Sequence, residues 1–328
     1  MRPSEYRGDT PRVTFAVLTY NAEATLGRTL DSLLAQDYPN LEILIQDDGS
    51  SDGTQKIADR YADTNRHVLS RQTPHNLGGW GNYALAVERA EGQFVTWCCP
   101  GDVYEPGFAR TLVARLSENP TAVAAASPPV FHDWDKGEDV YTADFTGKRN
   151  PEIYVGLALA KRILIKERGR DQSRAPYGNF IHGFIRRDKL RGVFNALEGT
   201  GPILNDRIVS CHLALTGPFV VTLESLFQRE FHAMPAHVRN PNEENLRISS
   251  GGLLSFYLKA SRQILVSFAR SPVLRAGQKW LVIPLLASYL GTELGSMIFR
   301  NTVPALQRIL PEPLYRSLRD AYRRSPGK

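Results

Sequence analysis

In several places in this chain an acid, an arginine or a histidine stands where an apolar run stops. Asp47 and Asp48 follow the run Leu41–Gln46, and Asp102 follows Gln93–Cys98. Asp206 opens a helical pattern through Ile208, Cys211 and Leu215, and Arg229 and His232 follow the short apolar stretch Phe219–Leu223. An ionised carboxylate at a strand end can accept from a ligand N–H, hold a hard cation, or take the proton of an attacking hydroxyl. An arginine fork with a histidine nearby suits anionic oxygens. Structural roles compete at the same positions. Asp48-Gly49-Ser50-Ser51-Asp52 also reads as a polar turn with a helix cap, and an acid at a helix start complements the helix dipole.

The elements that must position these groups alternate. Residues 12–19 are a continuous apolar run, as expected of a strand buried on both faces. Leu26, Leu30, Leu33 and Leu34 fall on one face of a helix. A strand at 41–46 follows, then a helix through Ile57 and Tyr61 that Asp52 and Gln55 would open as a capping arrangement. Another helix at 82–90 leads to a strand at 93–98. Such alternation implies parallel strands with right-handed crossovers, whose ligands bind beyond the carboxyl ends of the strands. Thr19-Tyr20-Asn21, Asp47-Asp48 and Asp102 all fall there. Between about 121 and 171 the pattern weakens, and from about 253 it is helical again.

The segment VLTYNAEATLGRTLDSLLAQDYPNLEILIQDDGSSDGT closely resembles the opening of family 2 glycosyltransferases. Weaker matches continue through Asn76-Leu77-Gly78, Asn82, Ala90-Glu91-Gly92, Asp102, Gly183 to Arg187, Asp206, and Arg229 with His232. The resemblance implies a GT-A fold, a mixed α/β sheet flanked by helices, and inverting transfer of a sugar from a nucleotide-diphosphate donor to an acceptor hydroxyl. It makes Asp47 the reader of the base, with Thr19, Tyr20 and Asn21 lining the same pocket and Asp48 toward the ribose or holding the loop. Asn76, Gly78 and Asn82 would lie beside the diphosphate, Asp206 would be the general base, and Arg229 and His232 would close over the leaving group. UDP-linked sugars are the commonest donors by this analogy, with a saccharide or lipid-linked acceptor, in cell-surface polysaccharide or glycolipid synthesis.

Two departures stand out. Relatives carry Asp-x-Asp or Asp-x-Asp-Asp where this chain has Cys99, Gly101 and Asp102, so one carboxylate survives. A divalent cation (Mg2+ or Mn2+) keeps much of its water, and Asp102 with phosphate oxygens would hold it. Trp80-Gly81 replaces the usual small residue and arginine before Asn82. The loss of acids motivates an alternative: a degenerate member that binds nucleotide sugar or a partner without turnover. Retention of Asp206 argues against it. Arg186-Arg187 matches a stretch beside the acceptor cleft, and equally reads as a solvated pair. No Gln-x-x-Arg-Trp element follows Asp206, so processive synthesis is not expected.

Composition bounds the rest. A hydrophobic fraction of 42% and a charged fraction of 23% in 328 residues are those of a globular chain. Three cysteines without metal-type spacing suggest a reducing compartment, and the polar N-terminus a cytoplasmic protein. The net charge is +6, yet residues 251–328 alone hold 12 Lys or Arg against 3 acids. Nothing spreads basic and aromatic residues over one face as a nucleic-acid site would. Residues 280–299 are apolar but contain Pro284 and Glu293. Amphipathic helices on a membrane surface or packed on a partner fit better than a span, with Arg300, Arg308, Arg316, Arg319, Arg323 and Arg324 toward anionic headgroups in the first case, and a solvated basic helical extension reads equally well. The expected organisation is a polar segment 1–11, a donor half 12–120, an acceptor half 121–250 and a basic helical tail 251–328.

Overall fold

The computed structural model describes residues 10–143, 153–154, 160, 180–200, 205–230, 253–291 and 312. The first half alternates as its periodicity requires: β1 (Val13–Thr19), α1 (Leu26–Leu34), β2 (Leu41–Asp47), α2 (Thr54–Thr64), β3 (Val68–Gln72), α3 (Gly78–Arg89) and β4 (Phe94–Cys98). β1 and β2 are buried along their whole length, because helices cover both faces of the sheet. The strand order β3-β2-β1-β4 places β1 between β2 and β4, all parallel. The chain therefore leaves β1 in one direction and returns on its other side. A crevice opens at the carboxyl ends of β1, β2 and β4 at such a reversal.

Beyond β4 come β5 (Val103–Tyr104), α4 (Phe108–Glu118), β6 (Ala124–Ala126), β7 (Val130–Asp133), β8 (Glu138–Thr142), β9 (Ile153–Tyr154), β10 (Phe184–Arg186), β11 (Phe219–Val221) and β12 (Phe227–Glu230). β10 is antiparallel to both β4 and β6, so the eight-stranded sheet, continuing β10-β6-β11-β9, is mixed. Gly183 is needed where β10 enters, since a Cβ there would collide with the Ala125 carbonyl. A second sheet, β5-β12-β7-β8, joins segments about a hundred residues apart and stands over the end of β4.

Two apolar clusters lie on either side of the large sheet. Leu26, Leu30 and Leu33 of α1 pack with Phe15, Val17, Phe108 and Leu112. Tyr83, Ala86 and Val87 of α3 pack with Ala16, Leu18 and residues of the helices Arg187–Leu197 and Asn205–Thr216. Ala260, Ile264 and Phe268 of the helix Leu253–Arg270 join that second cluster, as do Val282, Leu285 and Tyr289. The described part of the C-terminal region thus packs on the body that carries the large sheet. Arg300, Arg308, Arg316, Arg319, Arg323 and Arg324 lie outside the described residues.

Local details refine expectation in two places. Asp52 forms no capping box with Gln55; its carboxylate accepts from the Thr54 N–H (3.0 Å), the Thr54 hydroxyl (2.5 Å) and the Glu23 N–H (3.2 Å). The Gln55 amide goes instead to Asp59 and Ser70. Arg186 and Arg187 are half-buried, and their guanidiniums are engaged by backbone carbonyls. Arg186 donates to the Ala122 and Pro120 carbonyls (2.7 and 2.9 Å) and Arg187 to the Ala90 carbonyl, so both fasten β10 to neighbouring loops.

Candidate donor site

The loop after β1 and the loop after β2 are sewn to each other. Asn21, at a left-handed φ of 50°, accepts the Ser51 N–H (2.9 Å) on its side-chain oxygen, and its own N–H donates to the Ser50 hydroxyl (2.8 Å). The Ala22 N–H donates to the Thr54 hydroxyl (2.7 Å), and Glu23 accepts the Gly53 N–H (2.5 Å). Tyr20 is left 52% exposed at the mouth of the crevice. The adjacent Tyr-Asn and Asp-Asp-Gly-Ser-Ser-Asp-Gly-Thr segments are therefore one interlocked structure.

The two aspartates of that structure differ in how fully they are used. Asp47 is completely buried, and its carboxylate accepts from the Thr19 hydroxyl (2.8 Å), the Gln72 amide (2.8 Å), the Ser50 N–H (2.9 Å) and the Ser50 hydroxyl (2.5 Å). Those four bonds fill the acceptor positions of a carboxylate. Asp48 accepts the Leu77 N–H (2.7 Å) and a longer contact from the Thr73 hydroxyl (3.4 Å), both on Oδ1. The bond to Leu77 fixes the start of α3, where Asn76 is exposed, accepts the Gly78 N–H (2.8 Å), and Gly78 takes a φ of 77° facing open space. Asn82 is buried, its amide donating to the Gln46 carbonyl (2.8 Å). It braces β2 against α3.

Trp80 explains its own departure. Its ring meets Trp97 edge-on at 5.1 Å, and Tyr83 and Phe194 complete the aromatic cluster. Position 80 thus fills a space beside Trp97, the residue just before Cys98-Cys99.

Asp102 sits at the end of β4 in a loop gripped from α1. The Thr29 hydroxyl donates to the Asp102 carbonyl (2.8 Å) and accepts the Gly101 N–H (2.9 Å). Pairing of β5 with β12 brings Arg229 alongside, its Nε 3.7 Å from Asp102 Oδ2. Asp102 is buried, which raises its pKa to about 6 against the pull of the Arg229 charge. The Cys99 thiol is pushed up to about 12, by burial first and then by the Asp102 charge. His182 donates from Nδ1 to the Trp97 carbonyl (3.0 Å), and burial and then Arg229 hold its pKa well below the usual range. One donor atom each from Cys99, Asp102 and His182 lie within 4.8 Å of one another. Neither Cys99 as a ligand nor His182 is marked out by the sequence. The adjacent Gly183 is the local signal that could have drawn attention to the latter.

The structure therefore brings together Thr19, Tyr20, Asn21, Asp47, Asp48, Asn76, Gly78, Asn82, Asp102 and Arg229 around the ends of β1, β2 and β4. Asp206 lies in the first turn of the helix Asn205–Thr216, with its side chain outside the described residues, as is all of His232.

A parallel αβ half with a ligand crevice at its switch point, followed by a mixed half that returns an arginine over it, defines a nucleotide-binding transferase fold. The sequence profile described as glycosyl transferase family 2 matches residues 14–186, more than half of the chain. The chain belongs to that family. It is 30% identical over 156 residues to the EpsH protein of Bacillus subtilis (strain 168), covering 47% of this chain and 45% of that one. It is 29% identical over 109 residues to the GalNAc(5)-diNAcBac-PP-undecaprenol beta-1,3-glucosyltransferase of Campylobacter jejuni, covering 33% and 35%. In each case the match spans less than half of the relative's length. The fold is similar to that of S. aureus TarS 1-349 (TM-score 0.59, 18% identity, 89% of this chain and 74% of that chain), a protein also solved with UDP-GlcNAc.

Proposed function

We propose that this protein transfers a sugar, with inversion, from a nucleotide-diphosphate sugar to an acceptor hydroxyl. The observation that carries the reading is the convergence of Tyr20, Asp48, Asp102 and Arg229 on one crevice, on a chain of this family. Asp48, rather than the saturated Asp47, has a carboxylate oxygen left for the base, and Tyr20 offers an exposed ring beside it. Asp47 shapes the pocket by holding β1, β3 and the Ser50 turn together. Arg229 supplies a fixed positive charge where negative charge develops on the leaving diphosphate. Asp206, at the start of its helix, is assigned the proton from the acceptor hydroxyl, which typically contributes roughly 10²- to 10⁴-fold.

The residues fit a divalent cation: Asp102 Oδ2 is buried without a hydrogen bond, and a buried carboxylate oxygen left so is costly. A cation bound there would neutralise phosphate charge. UDP-sugars are the favoured donors, since UDP-GlcNAc is what the TarS complex holds. A lipid-linked acceptor is favoured because the Campylobacter relative's name carries an undecaprenol diphosphate. The exposed residues of the C-terminal helices support work at a membrane surface, which we assign to the cytoplasmic side by the resemblance alone. Leu258 and Leu265, seven residues apart on Leu253–Arg270, are exposed, as are Trp280 and Ile283, with Lys259, Arg262, Arg270 and Lys279 close in sequence. Among the described residues no helix is long and apolar enough to cross a membrane.

The testing experiment is hydrolysis of a panel of nucleotide sugars, with and without Mn2+, by the wild type and Asp206→Asn. The reading expects slow hydrolysis of one donor that falls in the variant. A folded protein that binds no nucleotide sugar would sink it.

A further inference from the structure

Position 101 is where family members carry the acid that this chain lacks, and the space beside it is not empty. Gly101 has a φ of 103°, and a Cβ there would collide with Oε2 of Glu230. Glu230 comes from β12, more than a hundred residues away, brought in by the antiparallel pairing of β12 with β5. Beyond the effect of burial, its charge bears on Asp102, raising that carboxyl's pKa. We propose that Glu230 returns in space the carboxylate that Gly101 lacks in sequence, and that Glu230 and Asp102 together hold the divalent cation of the donor diphosphate. This rests on the nucleotide-sugar reading above.

Three observations support the assignment. Asp102 Oδ2 is buried with no hydrogen bond, which points to a ligand that completes it. Each carboxylate lies beside a guanidinium that could pass to a phosphate oxygen: Asp102 to Arg229 at 3.7 Å, Glu230 to Arg28 at 3.8 Å. Arg28 is held over the Trp134 ring at 4.0 Å, and its Nη2 stands 3.4 Å from where a Cβ of residue 101 would be. Two carboxylates and two guanidiniums sum to zero charge, so a dication and a diphosphate can enter together. The carboxylates then turn to the cation and the guanidiniums to phosphate oxygens. The donors are oxygens, as a hard cation on a diphosphate requires. Cys99 and His182 lie near Asp102 and feel the Arg229 charge, but a thiol and an imidazole are softer ligands than a cation on a diphosphate prefers.

The test is Mn2+ binding followed by electron paramagnetic resonance, with UDP and GDP each as the companion ligand. Wild type, Glu230→Gln, Glu230→Asp and, as a surface control, Glu224→Gln would be compared after their thermal unfolding has been checked. The expected result is nucleotide-dependent Mn2+ binding weakened about tenfold or more in Glu230→Gln. Metal-free nucleotide affinity would be retained and the control unchanged. Glu230→Asp, which keeps the charge but withdraws it by one methylene, is expected to be weakened as well and carries the test if the amide does not fold. Wild-type-like Mn2+ binding in the Glu230 variants would overturn the assignment. So would a wild type that binds nucleotide with no Mn2+ at all, an outcome that leaves the transferase reading standing. Failure to bind either nucleotide would remove both.

Discussion

The side-chain oxygen of Asn21 accepts the Ser51 N–H at 2.9 Å, and through that bond the loop after β1 carries the loop after β2. Asn21 also adopts a φ of 50°, which asparagine tolerates better than most residues. Both roles meet in one residue. Asn21→Ala loses the acceptor and strains the backbone, and is expected to cost about 1–2 kcal/mol in a urea titration. Asn21→Gly relieves the strain but still loses the bond. Because the two loops frame the crevice, both variants should raise the KM for donor more than they lower kcat. Unchanged donor KM in two well-folded variants would remove these loops from the site.

Asp47 and Asp48 are neighbours with opposite expected phenotypes. Asp47→Asn replaces an acceptor of four hydrogen bonds by a side chain that must also donate, so at least one buried donor loses its partner. The expected result is a stability loss of about 1–3 kcal/mol. Asp48→Asn should leave stability closer to wild type and weaken nucleotide binding roughly tenfold, the scale of one charge-assisted hydrogen bond. Calorimetric titration with the preferred nucleotide, paired with a melting curve, separates the two. The reverse pattern would return the base to Asp47.

The sequence carried much of the first half because its physics is local. Leu26, Leu30 and Leu33 face one core as their spacing requires, and β1 is buried throughout as its unbroken apolar run implies. The Tyr-Asn and Asp-Asp-Gly segments were legible as loops that end neighbouring strands, yet which carboxylate is spent on structure depends on Gln72, a strand away on β3. β3 itself, five residues of graded exposure, has too little pattern to be read. The second sheet was illegible for a different reason. Its strands are two to five residues long and pair across about a hundred residues, so no periodicity announces them. Asp102 beside Arg229, and Glu230 in the space at Gly101, exist only through that pairing.

Arg229 should matter in the chemical step rather than in donor capture. Arg229→Lys keeps a positive charge beside Asp102 but loses the planar fork. A fall in kcat of about 10²-fold or more, with donor KM changed much less, is expected when the lost contacts act on developing charge. Steady-state kinetics on the identified donor decides it. A variant that loses affinity and keeps kcat would place Arg229 in ground-state binding.

Acid should destabilise the fold from about neutral pH downward. His212 lies edge-on to Phe268 at 4.2 Å, its two nitrogens each 3.3 Å from the Ser267 and Ser271 hydroxyls. Burial lowers its pKa to about 3, so the folded protein keeps it neutral where the unfolded chain, near 6.5, takes up a proton. Its contribution is complete above pH 6.5 and is lost as pH falls toward 3, by about 1.4 kcal/mol per unit. His182, lowered by burial and by Arg229, works in the same direction. Asp102, raised to about 6 by burial, opposes them, because the folded state binds its proton before the unfolded chain does. Two histidines against one carboxylate leave a net loss. Urea midpoints at about pH 7.5 and about pH 5 should differ, and differ less in His212→Asn. Equal pH sensitivity in the variant would rule out His212 as a source.

The exposed apolar residues of the C-terminal helices give the membrane proposal a local test. Trp280 is 70% exposed, and Ile283, also exposed, lies about one turn further on. Trp at the headgroup boundary, with lysine and arginine beside it, is the composition of a helix lying on an anionic bilayer. The full chain is therefore expected to sediment with vesicles containing phosphatidylglycerol, more weakly as salt screens the basic residues. Trp280→Glu should reduce that partition about tenfold, equivalent to about 1.4 kcal/mol, without changing hydrolysis of donor in solution. Retained hydrolysis with lost vesicle binding would show that catalysis and attachment are separable. A full chain that ignores anionic vesicles at low salt would remove Trp280 and its neighbours from membrane attachment.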